Sequence, residues 1–216
     1  MKIALAIKSC HRYADRRQSQ LDTWLKTVDT DFFFLLGDAP TEYNWNGVTD
    51  ALYCRARGSF APVSDAFADI APKVLHAVEY ALADNVTNLV VCDDDTFIHW
   101  PRMMESGFER FDYLGFVRSY SDTPYMQGSC YTLSERAMAA IVKRNWYMKN
   151  GVPDDAAVGQ CLYGEVPFTH ENRFSIGVPY PMLQQMPLPN NSIVASHKMN
   201  VPSMKMCHRL WTEQGS

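Results

Sequence analysis

The apolar residues of this chain fall into short continuous runs separated by stretches of helical spacing. The opening run, "KIALAIKS", is of strand length, and "DFFFLLGD" and "NLVVC" repeat the type. Continuous apolar runs of this length mark strands buried on both faces. Between the first two, "DRRQSQLDTWLKTV" carries Leu21, Trp24, Leu25 and Val28 on one stripe and predicts a helix. "APTEYNWNGVTD" has loop composition, and "ALYCRARG" reads as a third strand. Pro72 suits the first turn of the next helix, where Val74, Leu75, Val78, Ala81 and Leu82 recur at helical spacing. The order β-α-β-(β)-α-β predicts an α/β fold with a mainly parallel, doubly wound central sheet flanked by helices.

The second half is more mixed. "DYLGFV" and "GSCYTLS" read as strands, and Ser134 is placed to cap the helix "ERAMAAIVKRNW". "VPDDAAVGQCL" reads as a turn into a helix with Asp154 or Asp155 at its start. From Tyr163 onward the chain is rich in Pro, Asn, Met and His and shows little periodicity. No repeat and no linker divides the 216 residues, so one domain is expected over 1–216.

Composition narrows the class. The chain is 47% hydrophobic and 20% charged, which suits a globular protein with a sizeable core. A net charge of −4 offers no basic footprint, so nucleic acid is disfavoured as a partner. No apolar run approaches the roughly 18 residues a bilayer span needs, and the N-terminal run reads as a strand and not a secretory leader. The expectation is a soluble, cytoplasmic chain without a membrane span. The six cysteines form no CxxC pair, which disfavours a zinc knot. Cys92 and Cys130 lie in apolar, strand-like surroundings and read as buried free thiols.

The sharpest chemical signal is "NLVVCDDDTFI", where a buried strand runs into Asp93, Asp94 and Asp95 and apolar residues follow at once. In doubly wound sheets, ligands bind beyond the carboxyl ends of strands. Carboxylates crowded at such an end need a cation, and a hard divalent ion with oxygen ligands fits best. An ion held by one or two carboxylates keeps positions open for phosphates. There is no GxxxxGK[ST] loop and no GxGxxG after the first strand, which disfavours P-loop NTPases and dinucleotide oxidoreductases.

Five ordered segments then resemble one family. "VVCDDDTFI" resembles the DxD motif of GT-A glycosyltransferases, and more narrowly the signature of the fringe and β1,3-galactosyltransferase group, glycosyltransferase family 31. "RRQSQLDTW", with Arg16, Arg17, Thr23 and Trp24, is similar to that group's N-terminal pattern. "APKVLHAVEYAL" resembles its lysine-bearing helix, "YMQGSCYTLSERAM" its glycine-containing segment, and "VPDDAAVGQCL" its "PDD…VG" or "EDV…G" segment. The matches span roughly residues 3 to 165. Gly128 stands where the family has two glycines, and paired luminal cysteines, anchor and stem are not recognisable.

The resemblance implies a single GT-A domain, with residues 1–100 as the nucleotide-binding half and 101–216 as the acceptor-binding half. It implies an inverting enzyme that uses Mn²⁺ or Mg²⁺ and moves a hexose-type sugar from a UDP-sugar to a hydroxyl of a glycan, protein or modified base. Asp95 and Asp93 would ligate the metal, with Asp94 near the ribose and metal shell. Lys8, Ser9, Arg16 and Gly128 would meet the donor. A histidine would complete the metal site: His197 in "SIVASHKM" first, His170 in "PFTHENRF" second, His208 third. Asp155 is the favoured base, with Asp154 as a helix cap or alternative base. Arg17 reads as structural, Trp24 and Phe32 to Phe34 as core, and Tyr125 and Trp100 as candidates to line the sugar or acceptor site. Rival readings are a metal-dependent phosphoryl- or nucleotidyl-transferring enzyme and a non-catalytic sugar-binding module.

Overall fold

A computed structural model of the chain describes residues 1–37, 51–53, 63–120, 122–175, 195–196 and 198–213. The strands are β1 (Ile3–Lys8), β2 (Asp31–Leu36), β3 (Ala51–Tyr53), β4 (Asn88–Asp93), β5 (Phe97–Ile98), β6 (Tyr113–Tyr120), β7 (Thr123–Ser134), β8 (Phe168–His170), β9 (Phe174–Ser175) and β10 (Ala195–Ser196). The helices are α1 (Ala14–Asp22), α2 (Ile70–Ala83), α3 (Trp100–Glu105), α4 (Glu135–Lys143), α5 (Asp154–Leu162) and α6 (Val201–Glu213). Seven strands form the central sheet in the order β3-β2-β1-β4-β7-β6-β8, and β5, β10 and β9 form a small second sheet. Within the central sheet only β7 runs against the others. The predicted α/β class and mainly parallel sheet therefore hold.

The strand pleat divides the apolar runs between two cores. Ala4 and Ala6 of β1, Phe33 and Leu35 of β2, and Leu89 and Val91 of β4 face a layer of α2, α4 and α5. Ile3, Leu5, Ile7, Phe34, Leu36, Val90 and Cys92 face the opposite layer, with Trp24, Trp100 and Met103, and with Met204 and Cys207 of α6. Burial on both sides is why these strands show no polar alternation. Each fully buried aliphatic or aromatic side chain here contributes roughly 1.5–3 kcal/mol.

Local signals account for several element ends. Ser134 caps α4, its Oγ accepting the N–H of Ala137 at 3.2 Å. The first predicted helix is shorter than its stripe suggested: Thr23 leaves helical geometry at φ −121° and ψ −112°, and Trp24–Thr27 continue as a short 3-10 turn. Trp24 and Leu25 are still buried, and Leu21 and Val28 pack against the same core. Of the predicted third strand only Ala51–Tyr53 are described; its remainder and "APTEYNWNGVTD" lie outside the described residues. In the tail, the described residues Val201–Glu213 form a helix that the sparse periodicity did not announce. Asn200 Oδ1 accepts the Ser203 N–H at 2.9 Å and its hydroxyl at 2.7 Å, an N-terminal cap that starts α6.

Cys92 and Cys130 are buried free thiols, as expected, and lie opposite each other in the β4–β7 register. Among the described residues no helix is long and apolar enough to cross a membrane.

Candidate active site

The end of β4 also separates the three acids, Asp93 in the strand and Asp94 and Asp95 in the turn after it. Asp93 ends β4 on the same face as Leu89 and Val91, toward α5. In parallel register it pairs with Lys8, which points the same way. Lys8 is only 4% exposed. Its ammonium donates to Asp154 Oδ2 at 2.7 Å and Gly128 O at 2.8 Å, and lies 2.9 Å from Asp93 Oδ1. An ammonium has three N–H donors, so these acceptors saturate it. Burial alone would lower the Lys8 pKa, but Asp154 and Asp93 outweigh it and hold the group charged, above its ordinary value. Burial also pushes the Asp154 carboxyl up while Lys8 pulls it down. At 2.7 Å from an ammonium saturated by its acceptors, Asp154 forms an ion pair, so the Lys8 direction governs. Lys8 was expected to meet a nucleotide; its donors are turned inward instead.

Gly128 sits between this pair and Asp155. Its carbonyl accepts Lys8, and its N–H donates to Asp155 Oδ2 at 3.1 Å. Asp155 Oδ1 accepts the Ala156 N–H at 2.8 Å. The side chain is half-buried, and its pKa is raised by burial first and by neighbouring Asp154 second. Neither acid is the helix cap expected of the pair: Pro153 holds the N-cap position with no side-chain cap bond, and Asp154 turns to Lys8. Tyr125 of β7 lies close by, its pKa raised by burial and by the Asp155 charge. It approaches α5 closely because Gly159 has no side chain; a Cβ there would stand 2.5 Å from Tyr125 Cβ.

The second acid faces the α1 layer. Asp94 accepts the Ser9 hydroxyl at 2.7 Å and Arg16 Nη1 at 3.0 Å, and its side chain is 6% exposed. Burial raises its pKa, with Ser9 and Arg16 opposing. Arg16 lies 3.6 Å from Asp95 Oδ2 and stacks 3.9 Å from the Tyr13 ring centroid. Buried Arg17 donates to Ser9 Oγ at 3.1 Å and to Cys10 O, which ties down the end of β1 as a structural arginine should. Buried Gln20 donates to Thr96 O at 3.1 Å and braces the turn that carries the triplet.

A further cluster was missed. Asp65 accepts from the His11 N–H, the Gly37 N–H and Lys73 Nζ, the last at 2.7 Å. Lys73, on α2, also donates to Ser9 O at 3.3 Å. This joins the ends of β1 and β2 to the helix. Gly37 is needed for the approach, since a Cβ would stand 2.5 Å from Asp65 N. The lysine-bearing helix was visible in "APKVLHAVEYAL"; its partner Asp65, eight residues upstream of Lys73, had no pattern to mark it.

The histidines and tryptophan divide differently from expectation. His170 is not brought to the triplet: it lies on β8, level with Gly115 and, through β7, with Val91. Three strand spacings put it about 14 Å to the side. Its Nδ1 accepts from Val117 N–H at 3.1 Å and its Nε2 meets Asn172 Oδ1 at 2.8 Å. His208 sits on α6, its pKa lowered by burial and by Lys26. His197 lies outside the described residues, but Ser196 pairs with Phe97 and Met199 N–H donates to Asp95 O at 2.8 Å. Trp100 does not line the site; it is 1% exposed and donates Nε1–H to Asp29 Oδ1 at 2.8 Å.

Among the described residues no three His, Cys, Asp or Glu side chains form a ready metal cage. The donor chemistry nevertheless suits a hard cation: the Asp93 and Asp95 side chains are 24% and 23% exposed at a strand end. One or two carboxylates with phosphate oxygens are the usual set for Mg²⁺-like ions.

The fold, a mainly parallel α/β sheet with one antiparallel strand and helices on both faces, is that of GT-A-like glycosyltransferases. Apo GlyE of Streptococcus pneumoniae TIGR4 superposes with a TM-score of 0.56 at 11% identity, over 100% of this chain and 64% of that one. A glycosyltransferase involved in glycosylation of the major capsid of PBCV-1 gives 0.57 at 10% identity, over 97% of this chain and 100% of that one. The bifunctional glycosyltransferase WbbM gives 0.53 at 9% identity, over 92% and 46%. The chain thus spans less than two thirds of the GlyE and WbbM chains. No protein-family model and no curated protein sequence matches it.

Proposed function

We propose that this chain is an inverting, Mn²⁺-dependent glycosyltransferase that moves a hexose-type sugar from a UDP-sugar to an acceptor hydroxyl. One observation carries the reading: Lys8 and Gly128 in succession link Asp93, at the end of β4, to Asp155 at the start of α5. The donor-side acid Asp93 and the acceptor-side acid Asp155 are thereby joined by one short chain of contacts. Asp93 and Asp95, with His197, would hold the cation, which supplies Lewis-acid stabilisation of the leaving diphosphate. Arg16, partly exposed beside Asp94 and Asp95, would add a fixed positive charge for that diphosphate.

Asp155 is the base in this reading. Its geometry is fixed by two backbone N–H groups, and each oxygen keeps lone-pair capacity for an incoming hydroxyl proton. Asp154 is engaged by Lys8 and is not the base. Tyr125 flanks the acceptor side.

The test is UDP release from a panel of UDP-sugars with and without Mn²⁺. Asp155→Asn should lower turnover about 10²–10⁴-fold, and Asp95→Ala should abolish the Mn²⁺ response. The absence of both turnover and Mn²⁺-dependent UDP binding would refute the proposal. Phosphate release in place of sugar transfer would favour the phosphoryl-transfer rival, and sugar binding without turnover the binding module.

A further inference from the structure

We propose that Lys8 is a positioning residue: it fixes the distance between the donor-side acid Asp93 and the base-bearing start of α5, with Asp154 as its counterion. This rests on the reading of Asp155 as base. The ladder between β4 and β7 ends at the Cys92–Cys130 pair, but β7 extends beyond it. The Gly128 carbonyl therefore lies past the last β4 partner, and the Lys8 ammonium, from β1, reaches across the end of β4 and donates to it. The same ammonium touches Asp93 at 2.9 Å and Asp154 at 2.7 Å. Three segments that are 85 or more residues from β1 in sequence are held by one cation.

Its burial argues against direct donor contact. At 4% exposure the ammonium has no open face for a phosphate or a base, and its three donors are occupied. Its effect on Asp155 passes through Gly128, whose carbonyl takes Lys8 and whose N–H orients Asp155 Oδ2. Without the ammonium, Asp93, Asp154 and Asp155 repel one another, β7 loses its tether, and the base loses its fixed distance from the donor. Misplacement by about 1 Å can cost about a hundredfold in rate.

The test compares Lys8→Met, Lys8→Met/Asp154→Leu and Asp155→Asn. Lys8→Met alone leaves a buried, uncompensated carboxylate and should melt well below the wild type. The double variant removes the buried pair and leaves only the partly exposed Asp93 and the Gly128 carbonyl without the ammonium, so its melting temperature should recover most of that loss. UDP affinity with Mn²⁺, measured by calorimetry, and donor KM should stay within about threefold, whereas kcat should fall about a hundredfold. A folded double variant with kcat near wild type would show that Lys8 only supports the fold. A tenfold loss of UDP affinity with kcat retained would make Lys8 a donor ligand. A double variant that fails to fold would show that the ion pair is not a replaceable unit. Each of these overturns the assignment. Full activity in Asp155→Asn would instead refute the base reading beneath it.

Discussion

Gly128→Ala is the most direct probe of how the site is assembled. A Cβ at this position would stand 3.0 Å from Lys8 Nζ, 3.3 Å from Asp155 Oδ2 and 3.4 Å from Asp155 Cβ. Ordinary contacts begin near 3.4 Å, so Lys8 must retreat by a few tenths of an ångström. It has little room, because Asp93, Asp154 and the Gly128 carbonyl already hold it within 2.9 Å. Overpacking of this sort costs about 1–3 kcal/mol. For a domain of this size each kcal/mol lowers Tm by about 2–4 °C, so a fall of about 2–12 °C is expected. The same displacement moves the N–H that orients Asp155, so kcat should drop more than donor KM rises. Thermal unfolding and steady-state kinetics on one preparation test both parts. An unchanged Tm with unchanged kcat would mean that β7 does not pass between Lys8 and Asp155, and the site as described would be wrong.

Other outcomes follow from the same geometry. Asp155 must be ionised to accept a proton and its pKa is raised by burial and Asp154, so the acidic limb of kcat/KM should lie above the ordinary aspartate value of about 4; a limb at or below 4 would exclude it as the base. Asp65→Asn leaves the buried Lys73 without its carboxylate and should destabilise by about 2–3 kcal/mol in denaturant titration. Burial raises the Asp65 pKa, but Lys73 and two backbone N–H groups more than offset this and set it below its ordinary value. That stabilisation is present above the unfolded carboxylate pKa and lost as pH falls through the folded one, so the difference from wild type should shrink below about pH 4. Trp100→Phe removes the bond to Asp29 and should cost about 1–2 kcal/mol while leaving kcat unchanged; a large kcat loss at wild-type stability would place Trp100 in the sugar site after all.

Legibility in the sequence depended on how local each cause was. The strands β1, β2 and β4 were readable because burial on both faces forces continuous apolar runs. Ser134 was readable because a cap acts over three residues. Lys8 was not, since its partners lie 120 and 146 residues away. As a lysine at a strand end it looked available for a ligand, and only tertiary packing shows that its donors are taken. Asp65 failed for the same reason in reverse: a single acid in an unpatterned stretch, defined by three chain segments that converge on it. The start of α6 was legible in principle, because Asn200 precedes Val201-Pro202 in the manner of a capped helix start.

The acid triplet shows how register resolves a conflict that sequence alone exaggerates. Three adjacent carboxylates in a sequence call for a cation to relieve their repulsion. β4 ends at Asp93 and the turn begins at Asp94, so the two side chains diverge into different layers. Parallel register places Lys8 beside Asp93 on one face, and Ser9 with Arg16 meets Asp94 on the other. The protein supplies a separate positive group for each before any metal arrives. Asp95 then lies in the turn after the strand, shares Arg16 at 3.6 Å, and has the Met199 backbone against its own carbonyl. The metal therefore need not neutralise the triplet as a whole. Its proposed work is confined to the diphosphate and to the partly exposed carboxylates of Asp95 and Asp93, and Asp94 serves to hold Arg16 where that diphosphate would lie.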